Sequence, residues 1–384
     1  MFAANEWQAA TASQNWAINR IDFPFCHFYN KNIGNLEKTM QQRMVCMKYT
    51  TINGIKVSQM ALGTMVFYSP LSVEDSEYSM DYALDRGINL FDTARLYGAW
   101  HNFPGALGIC ERVMGDYMKK RGNREKIVLA TKGCHPDMSN MHENRVTRKD
   151  ILADLDDSLK ALRTDYVDIW FLHRDHPDCD LPDVMRALDE QVKAGKIRTL
   201  GASNWTMERI KKANAFAEAN GLTPFTVSQI EWSMAYLDMS HVADKTLVIM
   251  DETELAEYKK GEIPVMCYTA QARGFFQKAI AAGGYEALRQ KEIASGKYAS
   301  DPAAASRKYE YPCNIERIER VKEVCALYKV DPCSVAYAYL TSQPFSVIPI
   351  VGHSNVAQLK ESLAHPDLQL TPYQIKTILG GMPL

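Results

Sequence analysis

A closed (β/α)8 barrel of the TIM type, carrying an N-terminal β-hairpin cap and an N-terminal extension, is the fold this sequence predicts. Three observations predict it. Short apolar runs suited to buried strands alternate with helical patterns along most of the chain, a rhythm too long for a sandwich and suited to a parallel sheet with helical crossovers. Eight such runs occur. No Gly-x-Gly-x-x-Gly motif is present anywhere, which weighs against an open dinucleotide-binding sheet and for a closed barrel.

The elements follow in order. Residues 1–46 carry Trp7, Trp16, Phe23, Phe25, Phe28 and Tyr29 with little periodicity. That is too aromatic for a solvated tail and too short for an independent domain. They read as an arm that packs on the barrel or on a second copy of the chain, so a homo-oligomer through the arm is the expected form of any assembly. Residues 47–384 form the barrel domain. Asn53-Gly54 between β-rich flanks is a strong hairpin signal, and a hairpin there would cap the barrel's N-terminal end. Strands are expected at 60–64, 88–91, 127–131, 166–172, 197–202, 226–231, 263–268 and 346–350. Helices are expected near 73–86, 109–121, 149–163, 182–194, 206–219, 252–260, 314–328, 333–342 and 356–363, with a last one starting at Pro372. Residues 271–312 break the rhythm as a long irregular insertion with helical fragments, the kind of segment that forms lids or substrate walls.

Composition narrows the function classes. An apolar content of 46% supports a full core, and a formal net charge of -2 offers no basic excess to neutralise nucleic-acid phosphates. Nine cysteines without a Cys-x-x-Cys pair suggest neither zinc nor a disulfide framework. No stretch approaches the roughly 18 apolar residues of a membrane span. A cytoplasmic protein without nucleic-acid or membrane partners is the expectation.

Three strands end on polar residues with chemistry. The run at 88–91 stops at Asp92, with Tyr97 in the following loop; 127–131 delivers Lys132; 166–172 delivers His173. Consecutive neighbours in a parallel barrel would bring all four to one mouth. There an ammonium would favour the phenolate and lower the tyrosine's pKa, Asp92 would hold Lys132, and His173 would orient a carbonyl oxygen. The set suits proton transfer at an oxygen whose carbon gains or loses a hydride. His173, His176 and Cys179 could suggest a metal, but the Pro177 turn and the lack of a second ligand cluster favour a solvated loop, so no metal is expected. Trp100, His101 and Phe103 after Tyr97, with Trp205 and Trp232 beyond the fifth and sixth strands, are candidates for an aromatic substrate wall. In that pocket His101 or Arg174 would supply hydrogen bonds to a carbonyl compound or a sugar-like polyol.

From Met47 onward the chain resembles the aldo-keto reductases, through FDTARLYG, LATKG, DIWFLHR, GASN, VSQIEWS, CYTAQARGFF and VIPIVGHSNVAQLKES. The resemblance implies an NAD(P)H-dependent enzyme acting on a small carbonyl or alcohol, with Asp92, Tyr97, Lys132 and His173 catalytic and Tyr97 as general acid/base. It further implies that Ser203, Asn204 and Gln229 hold the nicotinamide carboxamide and that Tyr268 stacks on the ring. Gly352, Ser354, Gln358 and Glu361 would clamp the adenosine phosphate, where backbone amides between a strand and a helix start attract an anion, and Arg273 would reach the pyrophosphate. The family leans to NADP(H) over NAD(H). This chain departs from the common Lys-Ser pair and following Arg, offering Ile350, His353 and Gln358, and has Ser362 in place of a common Asn. The alternatives are a nicotinamide-binding sensor subunit that docks a protein partner through residues 1–46, and a barrel lyase or isomerase without net redox change.

Overall fold

The computed structural model describes residues 47–380. The arm expected over residues 1–46, and with it any assembly or docking role, lies outside the described residues, as do residues 381–384.

The chain enters through the expected hairpin, β1 (Tyr49–Ile52) and β2 (Ile55–Ser58), paired antiparallel with Ile52 opposite Ile55. Asn53 and Gly54 both take positive φ, 46° and 78°, the conformation a tight two-residue hairpin turn requires. Ile52 and Val57 pack into the inner cluster of the barrel with Ala61, Leu90 and Val128, and Asn53 Nδ2 donates to Thr199 Oγ1 at 3.1 Å. The hairpin therefore plugs the N-terminal end.

Eight parallel strands close on themselves: β3 (Ala61–Gly63), β4 (Leu90–Asp92), β5 (Val128–Gly133), β6 (Val167–Leu172), β7 (Ile197–Ser203), β8 (Phe225–Glu231), β9 (Val265–Tyr268) and β10 (Val347–Val351), with β10 pairing both β9 and β3. The fold is a (β/α)8 barrel. Helices α1 (Val73–Asp85), α2 (Ile109–Arg121), α3 (Arg148–Leu162), α4 (Leu181–Lys193), α5 (Met207–Ala219) and α6 (Glu252–Tyr258) fill the crossovers. Several begin at side-chain caps: Ser72 accepts from Asp75 N, Thr147 from Asp150 N and Thr206 from Arg209 N.

The insertion is more ordered than its composition suggested. It folds as α7 (Phe275–Ala282), α8 (Tyr285–Ala294) and two single turns, α9 (Lys297–Ser300) and α10 (Ala305–Lys308). Phe275, Phe276, Ala279 and Leu288 supply its apolar face. Glycines at 283, 284 and 296 cut the pattern into pieces too short for a periodicity reading to see. Next come α11 (Pro312–Tyr328), α12 (Pro332–Thr341), α13 (Val356–Ser362) and α14 (Pro372–Leu379), the last opened by a Thr371–Gln374 capping box.

Strand alternation places the site. Leu90, Ala130, Ile169, Phe171, Val227 and Met266 point into the barrel. Their strand neighbours Phe91, Leu129, Trp170 and Cys267 pack outward on the helices. Since side chains alternate with period two, the residue two beyond each inner one also faces inward. Leu90 thus leads to Asp92, Ala130 to Lys132, Phe171 to His173, Val227 to Gln229 and Met266 to Tyr268. Register then sets them level, with Asp92 beside Ala130 and Lys132 beside Phe171.

Candidate active site

Lys132 is the hub. It is 1% exposed, and its ammonium spends its three N–H donors on Asp92 Oδ2 (2.7 Å), the Thr93 carbonyl (2.8 Å) and Tyr97 Oη (3.2 Å). The other Asp92 oxygen accepts from Gln229 Nε2 at 2.9 Å. Gln229, Asp92, Lys132 and Tyr97 are therefore one chain of hydrogen bonds, and the phenol at its end accepts from Lys132 while keeping its own proton free. The loop bearing Tyr97 is pinned by Arg95 N–H to the Lys132 carbonyl (2.9 Å) and by Gly108 N–H to the Tyr97 carbonyl (3.1 Å). Gly98 permits the turn. Its φ is 102°, and a Cβ there would lie 2.4 Å from the Ala106 carbonyl oxygen.

The electrostatics correct one sequence expectation. Burial pushes the Tyr97 phenol above its ordinary pKa, Lys132 pulls it back, and Asp92 pushes it up again, so the net direction is upward rather than toward neutrality. Tyr97 keeps its proton at neutral pH. Burial pulls the Lys132 pKa down, but Asp92 and Tyr97 outweigh that and leave it above its ordinary value, hence charged. His173 is 7% exposed; burial, then the charges of Arg174, His135 and Lys132, hold its imidazole well below its ordinary value, hence neutral. Its ring stands edge-on to Tyr97 at 6.2 Å and to His135 at 4.8 Å between centroids. Its Nδ1 is buried with no partner among the described residues.

The residues expected around a nicotinamide lie together but are not equally free. Asn204, in the left-handed region at φ 59°, is fully committed. Its Nδ2 donates to the His173 carbonyl (3.2 Å) and Ser203 Oγ (3.1 Å), and its Oδ1 accepts from Tyr268 Oη (2.6 Å) and Val248 N (3.3 Å). The Ser203 hydroxyl proton and Gln229 Oε1 have no partner among the described residues. One free donor and one free acceptor at neighbouring strand ends match the needs of a primary carboxamide.

The far corner is looser. Gly352, Ser354 and Gln358 are exposed, Gln358 Oε1 accepts from Ser354 N at 2.8 Å, and the Glu361 carboxylate accepts from the Gln277 amide on α7. Arg273 is exposed and held at φ 54°. His353 turns inward instead, 4% exposed against the Ser79 hydroxyl (3.1 Å), and burial lowers its pKa to about 4.

Two expected wall residues are elsewhere. Trp205 is fully buried, donates to the Arg174 carbonyl (3.1 Å) and packs on Phe225, because the positive φ of Asn204 breaks strand alternation just before it. Trp232 follows inward-facing Glu231 and so points outward, stacked on Phe345 and edge-on to Tyr339. Arg174 is committed as well, to the His173 carbonyl, Thr246 Oγ1 and Asp244, stapling the segment after β8 to the mouth. Trp100 does lie by Tyr97, His101 packs against Trp100, and Phe103 and Tyr68 extend them into one run of rings. Sequence reasoning passed over Tyr68, His135 and the Glu231–Lys308 ion pair (2.6 Å). For Glu231 the signal existed: it lies two residues beyond Gln229 on the same inner face. No cluster of three or more His, Cys, Asp or Glu among the described residues could hold a metal ion, and no described helix is long and apolar enough to cross a membrane.

A parallel barrel with a phenol bonded to a buried ammonium at its C-terminal mouth has the arrangement of a barrel enzyme. The sequence profile of the Aldo/keto reductase family matches residues 59–380. Protein tas of Escherichia coli (strain K12) is 28% identical over 356 residues, 85% of this chain and 94% of that protein. Norsolorinic acid reductase A of Aspergillus parasiticus is 28% identical over 345 residues, 86% and 79% respectively. The Schizosaccharomyces pombe protein named aldo-keto reductase yakc (NADP(+)) is 25% identical over 322 residues, 83% and 85%. The chain belongs to the aldo/keto reductase family. It is a nicotinamide-dependent oxidoreductase that interconverts carbonyl compounds and alcohols.

Proposed function

We propose that this enzyme works chiefly as a reductase, with Tyr97 giving its proton to the oxygen of a carbonyl substrate. The observation that carries the reading is the bond from Lys132 to Tyr97 Oη, which leaves the phenolic proton directed away from the ion pair. Bound NAD(P)H supplies the hydride. The free Ser203 hydroxyl and Gln229 Oε1 hold its carboxamide, Asn204 braces them, and Tyr268, tethered by its hydroxyl, offers its ring. Arg273, Gly352, Ser354, Gln358 and Glu361 surround the phosphates, and NADP(H) is the proposed cofactor, in line with the family resemblance and the name of the yakc relative. Neutral His173 orients the carbonyl. The phenolate needed for alcohol oxidation is scarce at neutral pH because the Tyr97 pKa is raised, so reduction is favoured.

The run of rings from Tyr97 through Trp100, His101 and Phe103 to Tyr68 suits a planar aryl carbonyl better than a polyol. Relatives named norsolorinic acid reductase and putative aryl-alcohol dehydrogenase are consistent with that class. The test is Tyr97→Phe, assayed on aryl aldehydes alongside fluorescence titration with NADPH. Turnover should fall about 10²–10⁴-fold, the usual worth of a positioned acid, with NADPH affinity kept. Wild-type turnover in that variant would remove Tyr97 from the chemistry.

A further inference from the structure

Behind β5, on the face away from the mouth, lies a charged group the reaction does not touch. Glu111, in the first turn of α2, is 0% exposed. Its Oε1 accepts from Thr131 Oγ1 at 2.6 Å, and Thr131 is the residue immediately before Lys132. Its Oε2 is sealed from solvent with no hydrogen-bond partner among the described residues. Nearby sits a second orphan, Nε of Arg95, likewise sealed and unpartnered. A Cβ built on Gly108 would lie 2.9 Å from Arg95 Nη1 and 3.5 Å from Glu111 Oε2, so the two charged groups flank one spot that only a glycine leaves clear. Arg95 stands between Asp92 and Tyr97 in sequence and hands its backbone N–H to the Lys132 carbonyl.

A buried carboxylate with only one oxygen hydrogen-bonded is costly, so its presence beside the segments that carry Lys132 and Tyr97 calls for a reason. We propose that Glu111 is a positioning residue: from outside the barrel wall it bonds Thr131 and attracts the Arg95 guanidinium across Gly108 without touching it, and so helps hold the distance between Lys132 and Tyr97. The inference rests on the reading of Tyr97 as proton donor. Ionised, Glu111 accepts from the Thr131 hydroxyl and attracts the Arg95 guanidinium at a distance; protonated, it no longer attracts the guanidinium. Burial pushes its pKa up to about 7, with the Thr131 and Ser158 hydroxyls and then Arg95 pulling down and Asp154 pushing up. The titratable groups facing it are Arg95 from the loop after β4, Asp154 from α3 and Cys110 on its own helix. Arg145 neutralises Asp154 at 2.9 Å, and Asp157 pairs with Arg95 at 2.6 Å. Activity therefore rises as Glu111 ionises, and stability moves the other way. A carboxyl whose folded pKa lies above its unfolded one costs stability progressively as pH climbs from the unfolded value through the folded one.

The experiment is single-turnover reduction of nitrobenzaldehyde by the NADPH complex, followed by absorbance from about pH 6 to about pH 8, in wild type, Glu111→Gln and Thr131→Val, with Tm measured for each. Glu111→Gln should be about tenfold slower at the alkaline end, as a modest misplacement of reacting groups predicts, and should lack the wild-type rise with pH. Its NADPH Kd should be unchanged and its Tm equal to or above wild type. A purely structural glutamate would not combine a slower step with retained or higher stability. Thr131→Val, nearly the same shape without the hydroxyl, should also slow the step, and it decides the matter if Glu111→Gln does not fold. A wild-type rate and pH profile in Glu111→Gln, a rate loss matched by a fall in Tm, or a wild-type rate in Thr131→Val would each overturn the inference. Tyr97→Phe run in parallel separates the two ideas: if it keeps its turnover, the proton-donor reading fails, whereas an inactive Tyr97→Phe beside an unaffected Glu111→Gln sinks only the role of Glu111.

Discussion

Lys132 ends β5 and Gly352 follows β10, both at the C-terminal mouth of one barrel, yet their surroundings are built on opposite terms. Around Lys132 the carboxylate, ammonium and amide are buried and already bonded to one another, in a setting where charge interactions are weakly screened. Around Gly352 the side chains other than His353 are exposed or half-exposed, bond mostly to their own segment or to α7, and meet solvent that screens their charges. The buried corner is set by its own bonds. On the proposed function the exposed corner would take the cofactor's far end, so its mutations should read as affinity and those at Lys132 as stability and rate.

The largest expected effect is at the buried corner. Lys132→Met removes the only cation bonded to Asp92 among the described residues and leaves a carboxylate sealed at 2% exposure. Breaking such a pair from one side costs about 3–5 kcal/mol, so urea denaturation should show a loss of that order together with lost turnover. A stability change near zero would mean that water reaches Asp92 and the corner is not closed. The smallest effect is at the open corner: Arg273→Ala should raise the NADPH Kd by about threefold to tenfold, as an exposed charge-assisted contact does, and leave stability within about 0.5 kcal/mol. A stability loss comparable to that of Lys132→Met would erase the contrast between the two corners.

The same contrast explains what could be read from the sequence. The buried corner was legible because strand alternation and register carry it: once Leu90, Ala130 and Phe171 are recognised as inner residues, Asp92, Lys132 and His173 must face one another at the mouth. The hairpin followed likewise from Asn53-Gly54. The direction of the Tyr97 shift was not legible, since it depends on how deeply the surrounding loops enclose the phenol, a property of many distant residues. Trp205 misled because one left-handed residue, Asn204, reverses the face of everything after it, and a sequence does not announce φ at an asparagine. Trp232 could have been placed, because counting outward from Gln229 and Glu231 puts it on the helix side. The choice between NADP(H) and NAD(H) was hardest to read, since the residues proposed for it lie in the exposed corner, where His353 is turned inward and no strand pattern fixes side-chain direction.

The most direct test of a proton donor kept protonated by burial is the single-turnover reductive rate of wild type and Tyr97→Phe across the alkaline range. The wild-type rate should hold until pH passes the ordinary phenol value of 10.0 and fall only beyond it, while Tyr97→Phe shows a small residual rate without that fall. A wild-type rate that already declines near neutrality, with the decline absent in Tyr97→Phe, would show the phenol ionised at working pH and would contradict the account.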